Sequence, residues 1–70
     1  METLQQFVAS CIGYQWELYT IKFIRKNGNR RRPWLTCDGI DSIPKDLLPR
    51  RVAQSAHVEP FVYEFWLEDD

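Results

Sequence analysis

The first apolar stripe along the chain has the spacing of a short helix. Apolar side chains recur there at intervals of three and four residues: Leu4, Phe7, Val8, Cys11 and Ile12. Residues at these intervals share one side of an α-helix, so the pattern predicts a helix over residues 4–12. Thr3 and Gln6 have the spacing of a capping box at its start, and Gly13 is suited to the left-handed conformation that ends many helices.

Two stretches rich in β-branched and aromatic residues follow, and they predict a β-hairpin. The first runs from Tyr14 to Lys26 and the second from Asn29 to Cys37. The pair Asn27-Gly28 between them is typical of a two-residue turn in which both central positions need positive φ. Pro33 has no N–H to give to a ladder, so the second strand is predicted to lie at a sheet edge around that residue.

The second half of the chain predicts a middle helix and a last strand. Pro44 and Pro49 can each start a helical turn, which predicts a turn over residues 44–48 and a helix over about 49–56. After His57 the pattern alternates, with one apolar face formed by Phe61, Tyr63, Phe65 and Leu67. The other face would carry Val62, Glu64 and Trp66.

The order of these elements predicts a single α+β domain over residues 1–70. Its architecture is predicted as a small three-stranded antiparallel sheet with a β-hairpin, packed against one N-terminal helix and one short middle helix. The chain has ten aromatic side chains, which bury a large area with few rotatable bonds and therefore suit either a small core or a contact surface.

Charge is divided unevenly along the chain, although the formal net charge is only −1. Residues 18–37 contain no acidic side chain and six basic ones: Lys22, Arg25, Lys26, Arg30, Arg31 and Arg32. Residues 57–70 contain no basic side chain and five acidic ones: Glu59, Glu64, Glu68, Asp69 and Asp70. The sequence therefore predicts a positively charged hairpin and a negatively charged C-terminal strand.

The basic hairpin suggests a contact with nucleic acid. A loop at Asn27-Gly28 would place Arg25 opposite Arg30 and Phe23 opposite Arg32, and like charges in such pairs repel. Arginines near an aromatic ring can bind phosphates. The leading hypothesis is a non-enzymatic regulatory module that contacts nucleic acid or a nucleic-acid-bound complex through Lys22, Arg25, Lys26, Arg30, Arg31, Arg32 and Trp34.

Three alternatives stay open at this point. A pI near 5.7 and the absence of a recognised nucleic-acid motif favour either a solvated hairpin end or arginines packed across the acidic C-terminal strand. A protein-only inhibitor or adaptor would instead bind a partner through the acidic strand, with contacts from Glu64, Trp66, Glu68, Asp69 and Asp70. That hypothesis requires that Trp66 is an exposed anchor. A helix or Trp16 could instead cover it. A homodimer would bring hairpin and acidic tail together.

Catalysis and cofactor binding are not expected. His57 is the only histidine, Cys11 and Cys37 lack zinc-site spacing, and the three glycines are isolated. We therefore expect no catalytic residue, metal, cofactor or small-molecule substrate. No apolar run approaches the roughly 20 residues of a membrane span, and no signal peptide is visible, which predicts a cytoplasmic protein with free cysteines and no membrane contact.

Overall fold

One α-helix and four β-strands make up the described fold. The computed structural model describes residues 2–11, 13–27 and 30–68, and of residues 26, 27, 30 and 31 it describes the backbone alone. The regular elements are α1 (Leu4–Ser10), β1 (Thr20–Asn27), β2 (Arg30–Asp38), β3 (Val52–Glu59) and β4 (Val62–Leu67). The strands form one sheet in the order β2-β1-β4-β3. Short 3-10 helices lie at Trp16–Leu18, Ile40–Ser42 and Lys45–Leu47. No described helix is long and apolar enough to cross a membrane.

The N-terminal helix begins where the sequence predicts and ends earlier. The backbone N–H of Thr3 donates to Gln6 Oε1 at 3.0 Å, and Thr3 Oγ1 accepts from the Gln6 N–H at 3.2 Å. The predicted capping box is therefore confirmed. The helix ends at Ser10, and residue 12, its predicted last residue, lies outside the described residues.

The predicted hairpin is present, with a later start and a different loop. Residues 16–18 form a 3-10 helix, and β1 begins only at Thr20. Asn27 pairs with Arg30, so the loop comprises residues 28 and 29, which lie outside the described residues, and not residues 27 and 28 as predicted. β2 is the outer strand of the sheet, which confirms the edge position predicted from Pro33.

The predicted middle helix at about 49–56 is wrong, because residues 52–59 form the edge strand β3. Val52 aligns with Leu67 and Ser55 with Phe65 of β4. The backbone pairing with β4 outweighs the helix propensity of Ala53, Gln54 and Ala56. The register shifts near both ends of β3, as at β-bulges, and only residues 54–57 pair without interruption.

The sheet is four-stranded and mixed, which corrects the predicted three-stranded antiparallel sheet. β3 and β4 form a second antiparallel hairpin joined by Pro60 and Phe61, so the last predicted strand is in fact the end of β3, a turn and β4. β4 lies parallel to β1, with Thr20 aligned to Val62 and Phe23 aligned to Phe65. The small α+β class is confirmed, whereas its sheet topology was not predicted.

The core lies between α1 and one face of this sheet. Leu4 of α1, Phe23 of β1 and Phe65 of β4 are fully buried. The ring of Phe7 in α1 meets Phe65 edge-on, with a centroid distance of 5.2 Å. The apolar face predicted for the last strand is confirmed for three residues, all of them in the core: Tyr63, Phe65 and Leu67.

Gly39 is expected to be irreplaceable in the connection after β2. Its φ of 87° and ψ of 159° lie in a region almost restricted to glycine. A Cβ there would stand 2.9 Å from the carbonyl oxygen of Glu17. We predict that Gly39→Ala lowers the free energy of unfolding, measured by urea denaturation, by about 3 kcal/mol or more.

Gly13→Ala is the matched control for this prediction. Gly13 also has positive φ, 98°, but a Cβ at this position meets no atom within 4 Å. Gly13→Ala should therefore lower the free energy of unfolding only by the backbone strain, about 1 kcal/mol. Equal losses of stability in the two variants would contradict the close approach of Gly39 to Glu17.

Candidate functional site

The basic hairpin, formed by β1 and β2, places two arginines directly opposite each other. Arg25 pairs with Arg32, whereas the sequence predicted Arg25 opposite Arg30. Because the loop lies one residue later than predicted, each partner moves by two positions, which leaves Arg25 and Arg32 on one face. Both side chains are exposed. Two guanidinium groups therefore share one solvent-facing part of the hairpin.

Arg25 lies over the ring of Trp34. Its Cζ atom is 5.5 Å from the ring centroid, within the range of a cation–π interaction. Trp34 is half-buried, and its ring centroid lies 5.9 Å from that of Phe23 in the core. The core thus holds the tryptophan in place, and the tryptophan orients Arg25 beside Arg32.

A bulge in β2 brings Trp34 to this position. Phe23 pairs with Leu35 and Ile24 pairs with Pro33, which leaves Trp34 as an extra residue in β2. At a bulge two residues oppose one, so their side chains do not alternate strictly. Both Trp34 and Leu35 pack against the core cluster. Period-two alternation alone would place one of them on the other face.

The other predicted basic contacts are not brought to the same place within the described structure. Lys22 is half-buried, and alternation along β1 puts it on the opposite face of the sheet, aligned with Glu64 of β4. Three further side chains lie outside the described ones: Lys26, Arg30 and Arg31. From the predicted set, the structure therefore assembles Arg25, Arg32 and Trp34.

The acidic C-terminal strand does not offer an exposed tryptophan. Trp66 is only 8% exposed and lies with Ile24 on the sheet face opposite α1, outside the main core cluster. Glu64 is half-buried. Glu68 is exposed after the end of β4, and its N–H donates to the carbonyl of Arg51 at 2.9 Å. The last two residues of the predicted partner-binding set lie outside the described residues: Asp69 and Asp70.

A pocket at the turn between β3 and β4 was not predicted. Its volume is about 450 Å³, and its lining residues are Tyr19, His57, Val58, Glu59, Pro60 and Phe61. The sequence pattern assigned Phe61 to the last strand, but it is a turn residue with a φ of 63°. Pro60 could have predicted this turn from the sequence, because proline is favoured at the first central position of a β-turn.

Burial changes the acid–base behaviour of two groups. The pKa of Tyr63 is raised above its ordinary value by burial and, to a smaller extent, by Tyr14 and Cys11. Burial also raises the pKa of the Cys37 thiol, and the neighbouring carboxylate of Asp38 adds to the effect. Both cysteines are free thiols in this structure, as predicted. The raised pKa keeps Cys37 in its unreactive protonated form.

A scan against protein-family models, a search of curated proteins and a search of solved structures each found no match to this chain. Function is therefore inferred from the chemistry of the described side chains. Among them, no group of three or more His, Cys, Asp or Glu residues is placed to hold a metal ion. The expectations of no catalytic residue and no cofactor stay predictions.

We predict that Tyr63 makes the protein less stable in alkali. The unfolded tyrosine releases its proton near pH 10.0, whereas the folded one releases it at higher pH. The folded state therefore binds more protons above pH 10.0, and the free energy of unfolding falls as pH rises through the folded pKa. Tyr63→Phe has no such proton, so its stability should fall less between about pH 10 and 11.

Urea denaturation of both proteins over this pH range measures the difference. A fixed offset between the two proteins at neutral pH reflects the lost hydroxyl and is subtracted first. An identical pH dependence of stability in the natural chain and in Tyr63→Phe would show that burial does not raise the pKa of Tyr63.

Proposed function

We propose that this chain is a small non-enzymatic binding module that contacts nucleic acid through its basic hairpin, with Arg25 and Arg32 as phosphate contacts. The observation that carries the proposal is the direct pairing of these two exposed arginines. Like charges opposite each other in a ladder cost a few tenths of a kcal/mol, because they repel. A phosphate between them would remove the repulsion and be held by both guanidinium groups.

Trp34 supports the same proposal by positioning one of the two arginines. A free arginine side chain loses considerable rotamer entropy when it is ordered on a ligand. Arg25 is partly ordered already, because it lies 5.5 Å from the centroid of a ring that packs against Phe23. Arg25 therefore loses less rotamer entropy when it binds nucleic acid.

The charge distribution predicts weak binding with a modest dependence on salt. Residues 18–37 contain no acidic side chain, yet the chain as a whole carries a formal charge of −1. The hairpin is the one stretch with an excess of positive charge, so it would attract a phosphate backbone, while the acidic C-terminal strand would repel it. The protein is expected to approach nucleic acid with the hairpin first and to neutralise few phosphates.

The alternative of a protein-only inhibitor or adaptor has less support. It depends on Trp66 as an exposed anchor, and this side chain is buried. Interface anchors contribute most when an aromatic ring enters a pocket on the partner. Without such a ring, the exposed carboxylate of Glu68 is a peripheral charge of small energetic value. Association into a homodimer stays a prediction.

Fluorescence anisotropy with a labelled single-stranded oligonucleotide, at about 50 and about 200 mM salt, tests the proposal. We expect saturable binding that weakens with salt. In Arg25→Ala/Arg32→Ala, two phosphate contacts are lost, so the slope of log K against log salt should become shallower by about 1.4. A duplex of the same sequence in parallel shows whether binding depends on strandedness.

Lys45→Ala/Arg51→Ala is the matched control, because it removes the same charge from two exposed positions outside the hairpin. Its affinity should stay close to that of the natural chain, with an unchanged salt slope. An equal loss of affinity in both double variants would mean that net charge alone determines binding. No binding of the natural chain at the lower salt concentration would refute the proposal.

A further inference from the structure

The pocket between Tyr19 and the β3–β4 turn lies at the opposite end of the sheet from the hairpin loop. Val62, the first residue of β4, aligns with Thr20, the first residue of β1, whereas the hairpin loop follows the last residue of β1. A ligand at the pocket and a ligand at the hairpin could therefore bind at the same time. The pocket has its own chemistry, which the hairpin proposal does not use.

Phe61 has an unusual backbone conformation at the rim of this pocket. Among the described residues it is the only one other than glycine with positive φ, at 63°. Pro60 and Phe61 separate the paired residues Glu59 and Val62, so Phe61 occupies the second central position of a tight turn. A type II turn places proline first and positive φ second, and it normally has glycine or asparagine there. For a bulky residue this conformation is strained.

Folding alone gives little reason for a phenylalanine at this position. The side chain is 50% exposed, so much of its apolar surface stays in water. Its ring meets Tyr19 edge-on at a centroid distance of 5.5 Å, and its carbonyl accepts the Thr20 N–H at 2.7 Å, a bond that any residue could make. Glycine would relieve the strain and keep this bond. The exposed part of the ring is therefore available for contact with a ligand.

The walls of the pocket are held by the aromatic cluster behind them. Tyr14 stacks on Tyr19 at an interplanar angle of 10°, and His57 stacks on Tyr63 at 18°. Tyr19 Oη and His57 Nε2 are 3.5 Å apart. These contacts fix the positions of the lining rings before any ligand arrives, which lowers the entropic cost of binding.

The charge of the pocket selects the kind of ligand. Glu59 is the one carboxylate among the lining residues, and no lysine or arginine lines the pocket. Aromatic faces attract cations through their quadrupole, and a carboxylate adds a charged hydrogen-bond acceptor. A guanidinium group fits both features, because it is planar, stacks on rings and binds carboxylates in a bidentate manner. Phosphate would be repelled.

We propose that this pocket binds an arginine side chain of a protein partner, stacked on the half-exposed ring of Phe61 and paired with Glu59. The site is distinct from the proposed phosphate contacts, and its occupant has the opposite charge. A single side chain gives weak affinity by itself. The pocket thus serves as an anchor point within a larger contact, whose remaining part the partner supplies.

An NMR titration of the isotope-labelled natural chain with N-acetyl-arginine methylamide tests this proposal. The matched ligand is the citrulline analogue, which has the same shape without the charge. We expect saturable shifts at the amides of Glu59, Phe61 and Thr20, and about fivefold weaker binding of citrulline. Absence of saturable shifts, or equal affinity for both ligands, would overturn the proposal.

Two variants separate binding from folding. Phe61→Gly should weaken arginine binding by about fivefold or more, while its melting temperature stays the same or rises, because glycine relieves the positive φ. Glu59→Gln should reduce the preference for arginine over citrulline, because only the attraction of the cation to the Phe61 ring then remains. Glu68→Gln, which changes an exposed carboxylate after β4, should leave the preference unchanged. A Phe61→Gly protein that melts earlier and binds arginine normally would show that the ring serves stability alone.

Discussion

The parallel pairing of β1 with β4 is the constraint on which the rest of the structure depends. It aligns Phe23 with Phe65 and thereby creates the aromatic centre on which α1 packs. The same pairing makes β1 and β4 the inner strands, so that β2 and β3 become the two edges. It also sets the direction of both hairpins. The loop between β1 and β2 lies at one end of the sheet, and the turn at Pro60 and Phe61 lies at the other.

The parts of the fold that were predictable from sequence are those determined by neighbours in the chain. The capping box needs only Thr3 and Gln6, and the first hairpin needs only two β-rich segments around a short loop. β3 was missed because an edge strand with two exposed sides has little apolar alternation, and its pairing with β4 outweighs local helix propensity. The parallel ladder joins segments from the two halves of the chain, and no local pattern encodes such a pairing.

In the candidate sites, too, local features were predictable from the sequence, whereas features that depend on contacts between strands were not. The sequence placed Trp34 among arginines, but the bulge that turns its ring toward Phe23 depends on how β2 meets β1. Alternation correctly placed Trp66 on the second face of the last strand, but its burial there depends on the assembled sheet, which the sequence did not predict. Phe61 opposes the usual rules, because a phenylalanine with positive φ contradicts local preference. Functional sites are where such contradictions are expected.

The two edges of the sheet are protected against strand addition by different means. β2 carries Pro33 and a run of arginines, whereas β3 has no lysine, arginine, aspartate or glutamate from Val52 to Val58 and is interrupted by register shifts near both ends. Electrostatic repulsion is screened by dissolved ions, with a Debye length of only about 3 Å at 1 M salt, but a bent backbone is not. Concentrated salt thus removes one of the two protections of the hairpin edge and leaves Pro33 as the other, whereas the protection of β3 does not depend on salt.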